Sequence, residues 1–418
     1  MDRFVIRGGV PLHGSVRVSG SKNSVLALMA ASLLTDEPLI LQNAARVRDV
    51  STMMRILGAL GIDASWEADD VLRVAGGTPS AIEAPYDLVR TMRASFMVLG
   101  PLLARCGQAR VSLPGGCAIG ARPVEQHIKG LEALGAKVEL VGGYVEARTS
   151  RLRGGRVVFD LSTVNGTQNV LMAACLAEGR TQIENAAMEP EVSELVSVLQ
   201  AMGARIEGAG TDRLEVEGVP RLEGATHRVA GDRIEAGTLI VAGAITGGDV
   251  EVTDVCLDHL GVVVEKLREI GLDVEADETR VRVKYAGPLR GARVKTATFP
   301  GFPTDMQAQI MALLAVAQGS SVITETIFEN RFMHVSELQR MGADISVEGR
   351  TAFIRGVPAL SGAPVMATDL RASASLLLAG LAASGDTHVL RVYHIDRGYD
   401  RIEQKLGCMG ARIRRVRD

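Results

Sequence analysis

The chain has 418 residues, 47% of them apolar and 23% charged, with a net charge of −3. That length predicts more than one domain with ample core, and the slight negative charge argues against a general affinity for nucleic acid or an acidic membrane surface. Five widely spaced cysteines (Cys106, Cys117, Cys175, Cys256 and Cys408) form no CxxC or Cys/His ligand pattern, so neither disulfides nor zinc is expected.

In chain order, Arg3 to Arg7 reads as a strand and lacks the apolar run of a signal peptide. No apolar run reaches the length of a membrane span, and a reducing cytoplasm is the expected location. Beyond the turn at Pro11 to Gly14, a phrase begins to recur. Leu57-Gly58-Ala59-Leu60-Gly61 returns as Leu131 to Gly135, Leu199 to Gly203, Leu267 to Gly271, Leu338 to Gly342 and Leu406 to Gly410, at nearly even spacing. Repetition on that scale means six copies of one structural unit. Each closing glycine reads as a helix C-cap, where a left-handed residue ends the helix. Paired segments such as Lys137 to Leu140 and Tyr144 to Arg148, joined by Gly142-Gly143, then read as a hairpin. One unit is a lead-in strand, then helix, strand, helix, strand, strand.

Six such units are too many for one core, and a division into three and three is expected: residues 22–229 in one lobe, residues 1–21 with 230–418 in the other. The sixth unit runs out of strands, so the N-terminal strands are expected to join the second lobe. The chain then crosses twice between lobes, near Ser19–Lys22 and Val229–Gly231, which predicts a hinge around a cleft.

The first helix of every unit opens on a polar stretch and continues apolar. The openings lie at Ser21 to Ser24, Thr91 to Ser95, Asn165 to Asn169, Asp232 to Glu235, Pro303 to Gln307 and Thr368 to Ser373. Helices apolar nearly all round are interior helices, and their N-termini offer unpaired N–H groups and partial positive charge. Ser21, Thr91, Thr167, Thr304 and Thr368 read as N-caps. Caps do not account for Lys22, Arg93, Arg233 and Arg371, because a cation at a helix N-terminus opposes the dipole. With Arg122, Arg331 and Arg397 at second-helix entries, the repeated cations predict a multiply anionic ligand. Asp305 and Asp369 share these stretches as a candidate base and a candidate positioner of an arginine. No Walker loop or dinucleotide fingerprint is present. Between the strand-like Ala109 to Leu113 and the helix-like Val124 to Leu134 lies a glycine-rich loop holding Cys117 and Arg122. A thiol near a fixed cation reads either as a reactive cysteine or as a small buried residue in a turn.

The motifs Gly20-Ser21-Lys22-Asn23-Ser24, Thr91-Met92-Arg93-Ala94-Ser95, Pro114 to Pro123, Phe302 to Gln309, Phe328 to His334, Ala367 to Ala374 and Tyr393 to Tyr399 together resemble the enolpyruvyl transferases, over essentially the whole chain. The resemblance implies an α/β fold of two lobes, an inside-out α/β barrel of six βαβαββ repeats, three per lobe, with the active site between them. It implies transfer of the enolpyruvyl group of phosphoenolpyruvate to the 3-hydroxyl of UDP-N-acetylglucosamine, with phosphate released, no cofactor, and no nucleic-acid or membrane partner. In that likeness Cys117 is the general acid and Asp305 the base. Lys22, Arg122 and Arg397 hold the phosphate, and Arg331 and Arg371 the carboxylate side. Asn23 addresses the sugar hydroxyl, Ile327 gives a backbone contact, and Asp369 shares the site. Arg93 and the run Arg122, Pro123, Val124, Glu125 and Gln126 face the nucleotide sugar, with Thr163 and Val164 on the uridine side. The alternatives are an enzyme like 5-enolpyruvylshikimate-3-phosphate synthase, or a catalytically silent binder of UDP-sugar; the cysteine loop with its Arg-Pro-Val ending argues against the first, and the intact Cys, Lys and Asp set against the second.

Overall fold

The computed structural model describes residues 2–114 and 124–417. The glycine-rich loop from residue 115 to 123, with Cys117, Arg122 and Pro123, lies outside the described residues. Those described form two compact units, residues 2–19 with 231–417 and residues 20–114 with 124–230. Each unit has its own apolar core.

Among the described residues, alternation of apolar and polar side chains at a period of two builds six four-stranded sheets on one plan, and the class is α/β. In the fifth sheet Arg293–Lys295 runs parallel to Ser320–Thr324, which pairs antiparallel with Thr351–Arg355, whose hairpin partner is Asp344–Glu348. Three sheets borrow a strand from a distant part of the chain. Ala225–Arg228 leads into the first sheet beside Leu39–Gln42, and His13–Arg17 into the fourth beside Asp249–Thr253. In the sixth sheet Arg3–Arg7 takes a central place, antiparallel to both Asp386–Leu390 and Arg412–Val416. Among the described residues the sheets remain separate, and no run of strand pairing closes them into a barrel.

The six repeat glycines, Gly61, Gly135, Gly203, Gly271, Gly342 and Gly410, all have φ between 86° and 105°, the left-handed conformation expected of a C-cap. Gly142 and Gly143 both have positive φ in a two-residue hairpin loop.

The first helices of the repeats form the interior. We label them α1 (Lys22–Ala31), α2 (Leu99–Cys106), α3 (Val164–Ala174), α4 (Arg233–Ile245), α5 (Gln307–Leu314) and α6 (Ala372–Ala382). Every α5 residue is buried, and so is every α4 residue but Arg233 and every α1 residue but Asn23. α4, α5 and α6 pack against one another in their unit. In the other unit α2 packs on α3 so closely that a Cβ on Gly100 would lie 2.3 Å from the Asn169 carbonyl oxygen.

Two helix starts differ from the sequence reading. α3 begins at Val164, just ahead of the polar opening Asn165 to Asn169, because the Thr163 hydroxyl accepts from Gly166 N and caps there in place of Thr167. A 3-10 turn over Arg93–Val98 follows the start of the opening at Thr91, so α2 itself begins only at Leu99.

Candidate functional site

In the unit containing α4, α5 and α6, charged side chains meet at the helix N-termini. Asp232 caps α4: its Oδ1 accepts from Ile234 N at 2.8 Å and Glu235 N at 3.0 Å. Its Oδ2 lies 3.0 Å from Arg371 Nη2. Arg371 stands just before α6 and also donates from Nη1 to the Gly398 carbonyl at 3.0 Å. Its guanidinium lies 5.1 Å from the Tyr399 ring centroid, while the Tyr399 hydroxyl is 2.9 Å from Thr238 Oγ1 and accepts from Gln309 Nε2. Stacked, doubly bonded and charge-paired, Arg371 has little rotamer freedom left.

Asp305 lies in the 3-10 turn that opens α5. Its Oδ1 accepts from Arg331 Nη2 at 2.6 Å and its Oδ2 is 3.7 Å from Arg371 Nε. The side chains of Arg331, Arg371 and Asp232 are at most 5% exposed, whereas that of Asp305 is 28% exposed. Asp305 is therefore the member of the cluster most open to a ligand. Arg331 Nη1 donates to Thr304 Oγ1, and the Arg331 guanidinium lies over the Phe328 ring.

Burial penalises the charges of Arg331, Arg371 and Asp232, and the neighbours outweigh it. The charges of Asp305 and Asp369 hold the pKa of Arg331 above its ordinary value, and Asp232 does most to raise that of Arg371. Asp232, against its own burial, is held below the usual carboxylate range by Arg371. His334 is fully buried, and its burial pushes it toward the neutral form.

Asp369 accepts from Arg371 N and Ala372 N, so it caps α6 in place of the expected Thr368. His394 is pushed down by burial and then by Arg397, with Asp369 pulling the other way. Arg397, half-buried at the end of a 3-10 turn, thus acts electrostatically on the same ring as Asp369.

In the unit containing α1, α2 and α3, Lys22 opens α1 and its Nζ lies 3.1 Å from Asp49 Oδ2, with both side chains at most 8% exposed. Half-buried Asn23 is the one α1 residue that reaches toward solvent. Arg93 opens the 3-10 turn before α2 and is half-buried. It bears on His127, which burial first and Arg93 second push down to about 3. His127 Nδ1 lies 2.9 Å from Asn169 Nδ2, and its ring meets Phe96 edge to face. Val124 precedes the helix Glu125–Ala133, in which Glu125 is exposed. Gln126 exchanges two hydrogen bonds with Asp160, and Lys129 pairs with the same carboxylate at 2.6 Å. These bonds tie the start of that helix to the segment leading into Thr163 and Val164.

Of the expected threonine and serine caps, Ser21 is one, accepting from Ser24 N. Thr91 instead donates to the Leu88 carbonyl, and Thr167 lies inside α3 and accepts from Ala187 N. Thr304 donates to Glu325. A hydroxyl offered a stronger partner leaves the cap to a neighbouring carboxylate or threonine. The sequence reading passed over Asp232, Asp49, Glu325 and Tyr399 as partners. The available signal was a polar residue inside an otherwise apolar interior helix, as with Thr238 and Gln309. Among the described residues no group of three His, Cys, Asp or Glu side chains is placed to hold a metal ion, and no helix is long and apolar enough to cross a membrane.

The family model of EPSP synthase (3-phosphoshikimate 1-carboxyvinyltransferase) matches residues 6–406. A UDP-N-acetylglucosamine 1-carboxyvinyltransferase of Gluconacetobacter diazotrophicus is 57% identical over 420 residues, covering 100% of both chains. One from Myxococcus xanthus is 58% identical over 417 residues, covering 99% of each. Among solved structures, the enolpyruvyl transferase NikO from Streptomyces tendae superposes with a TM-score of 0.89 at 27% identity, covering 99% of each chain. An EPSP synthase from Acinetobacter baumannii shares the fold, with a TM-score of 0.78 at 19% identity and 100% coverage of both chains. With its six-sheet architecture and this full-length likeness, the chain belongs to the EPSP synthase family of enolpyruvyl transferases, among the UDP-N-acetylglucosamine 1-carboxyvinyltransferases.

Proposed function

We propose that the chain transfers the enolpyruvyl group of phosphoenolpyruvate to the 3-hydroxyl of UDP-N-acetylglucosamine and releases phosphate, in the cytoplasm, as the first committed step of peptidoglycan synthesis. The observation that carries this reading is Asp305, a partly exposed carboxylate between two buried guanidiniums, Arg331 and Arg371. Fixed cations offset the charge of anionic reactants, and they cost no reorganisation when the reaction occurs. A carboxylate among them accepts a proton from a hydroxyl brought against it.

In the proposed reaction the Cys117 thiol gives a proton to the methylene carbon of phosphoenolpyruvate. The sugar oxygen bonds to the adjacent carbon while its proton passes to Asp305, beside Asn23. The tetrahedral adduct then returns a methyl proton to the Cys117 thiolate as its carbon–oxygen bond to phosphate breaks, the departing phosphate takes up the proton held by Asp305, and the enol ether remains. Lys22, Arg122 and Arg397 receive the phosphate, and Arg331 and Arg371 the carboxylate, with Asp369 setting the backbone of Arg371. Arg93, Pro123, Val124, Glu125 and Gln126 take the nucleotide sugar, with Thr163 and Val164 on the uridine side and the Ile327 backbone on the sugar.

Phosphate release tests the reading directly. Mixed with phosphoenolpyruvate and UDP-N-acetylglucosamine, the protein releases one phosphate per enol ether formed; with shikimate 3-phosphate as acceptor it releases none. Turnover with shikimate 3-phosphate alone, or binding of UDP-sugar without turnover, overturns it.

A further inference from the structure

Glu325 follows the strand Ser320–Thr324 and is 1% exposed; its charge helps to raise the pKa of Arg331, but none of its four hydrogen bonds comes from a cation. Neutral donors surround it instead. Oε1 accepts from Thr296 Oγ1 at 2.9 Å, Ile327 N at 2.8 Å and Phe328 N at 3.3 Å, and Oε2 accepts from Thr304 Oγ1 at 2.8 Å. A buried carboxyl group is tolerated only where its oxygens are fully bonded, and here both accept, as in a carboxylate. The four donors come from three segments: the end of the lead-in strand, the turn that opens α5, and the loop that carries Ile327 and runs on to Arg331.

The direction of one bond matters most. A hydroxyl has a single proton. Thr304 gives its proton to Glu325, so it can only accept from Arg331, and Arg331 Nη1 donates to it at 3.0 Å. The second guanidinium nitrogen holds Asp305. Glu325 thus sets the polarity of Thr304, and Thr304 sets the plane of Arg331 against Asp305.

We propose that Glu325 is a positioning residue for the transfer: through Thr304 it orients the Arg331–Asp305 pair, and through the Ile327 and Phe328 amides it fixes the backbone expected to meet the sugar. This rests on the function proposed above. Glu325 makes no substrate contact in this account. Glu325→Gln keeps the shape but leaves one acceptor oxygen. Three donors hold that oxygen at the Oε1 place, so the amide NH2 faces Thr304, whose oxygen must then accept from it. Thr304 loses the acceptor that fixed its proton, and its oxygen is shared between the amide and Arg331, so the Thr304–Arg331 bond is no longer held in one direction.

A double-substitution cycle tests this. Loss of a hydrogen bond to a charged group is worth roughly 10- to 100-fold, the range expected for kcat/KM in Glu325→Gln and in Thr304→Val alone. Once Thr304 is Val, adding Glu325→Gln lowers kcat/KM by no more than about threefold, because the shared route is already cut. A double variant that shows the product of the two single losses overturns the proposal. The same cycle read on the Arg331 side-chain NMR signal needs no substrate: the signal moves on Glu325→Gln in the wild-type background and moves clearly less in the Thr304→Val background, where only the lost Glu325 charge reaches it; equal movement in both backgrounds overturns the proposal. Failure of the wild type to release phosphate would sink the function reading alone, and the NMR cycle would still decide the role of Glu325.

Discussion

Arg371 and Asp232, 139 residues apart in sequence, meet at 3.0 Å with side chains 2% and 4% exposed. One carboxylate oxygen caps α4 while the other holds the guanidinium ahead of α6, so a single aspartate locks two interior helices to each other. Removing one partner of a buried pair strands the other charge without water, at a cost of about 3–5 kcal/mol. Asp232→Ala also removes the cap, worth about 1 kcal/mol more. Urea unfolding of this variant is expected to show a loss in that range. A loss below about 1 kcal/mol would mean the pair is not buried as described.

The pH dependence of stability has a distinct source in Glu235. Burial raises its carboxyl group from 4.5 to about 7, against the pull of Lys405, with which it is in contact. Between those values the folded chain holds a proton that the unfolded chain has released. Stability from this group is therefore greatest on the acid side and falls as pH rises from about 4.5 to about 7. Glu235→Gln is expected to flatten that part of the profile, as measured by denaturant midpoints across pH. An unchanged slope would assign it to another group.

His127 acts in the opposite sense. Its folded pKa is about 3 and its ordinary value 6.5, so below 6.5 the unfolded chain takes up a proton that the folded chain refuses. Stability is lost as pH falls from about 6.5 toward 3, by up to about 1.4 kcal/mol per pH unit for one group. His127→Gln, which can still bond Asn169, is expected to make this acid limb shallower. If the limb keeps its steepness, His127 does not stay neutral in the fold.

Turnover by the proposed route depends on the Cys117 thiol. Cys117→Ser is expected to lose most turnover while retaining binding of UDP-N-acetylglucosamine, measured by calorimetry alongside phosphate release. Fosfomycin, an epoxide, is expected to leave one covalent adduct on Cys117 by mass spectrometry. A serine variant with wild-type turnover removes the acid role, and an adduct found elsewhere removes the reactive thiol.

Much of the architecture could be read from glycines. The six C-cap positions announced the repeats because a left-handed residue at a helix end tolerates little else, and every one has the expected φ. The cations at the helix starts were equally legible, since Arg331 and Arg371 in such places contradict the helix dipole. Their partners were not. Asp232 looks like any helix cap, and nothing in the chain near it predicts that its second oxygen meets Arg371. Glu325 sits in a run, Thr324-Glu325-Thr326, that reads as an exposed strand end; its burial follows from tertiary packing of Thr296 and Thr304 around it. Cap assignments failed for a local reason: Thr163, four residues upstream of the expected Thr167, captured the α3 start, and Asp369 outcompeted Thr368.

The strand Arg3–Arg7 lies between Asp386–Leu390 and Arg412–Val416, with Phe4 opposite both Val389 and Arg415. It is translated ahead of both its neighbours. On the ribosome it must wait, unpaired and apolar on one side, until Asp386–Leu390 and then Arg412–Val416 have emerged. The unit built on α4, α5 and α6 therefore cannot complete its sixth sheet before Val416 is made, while the sheets of the unit of α1, α2 and α3 need nothing later than Arg228.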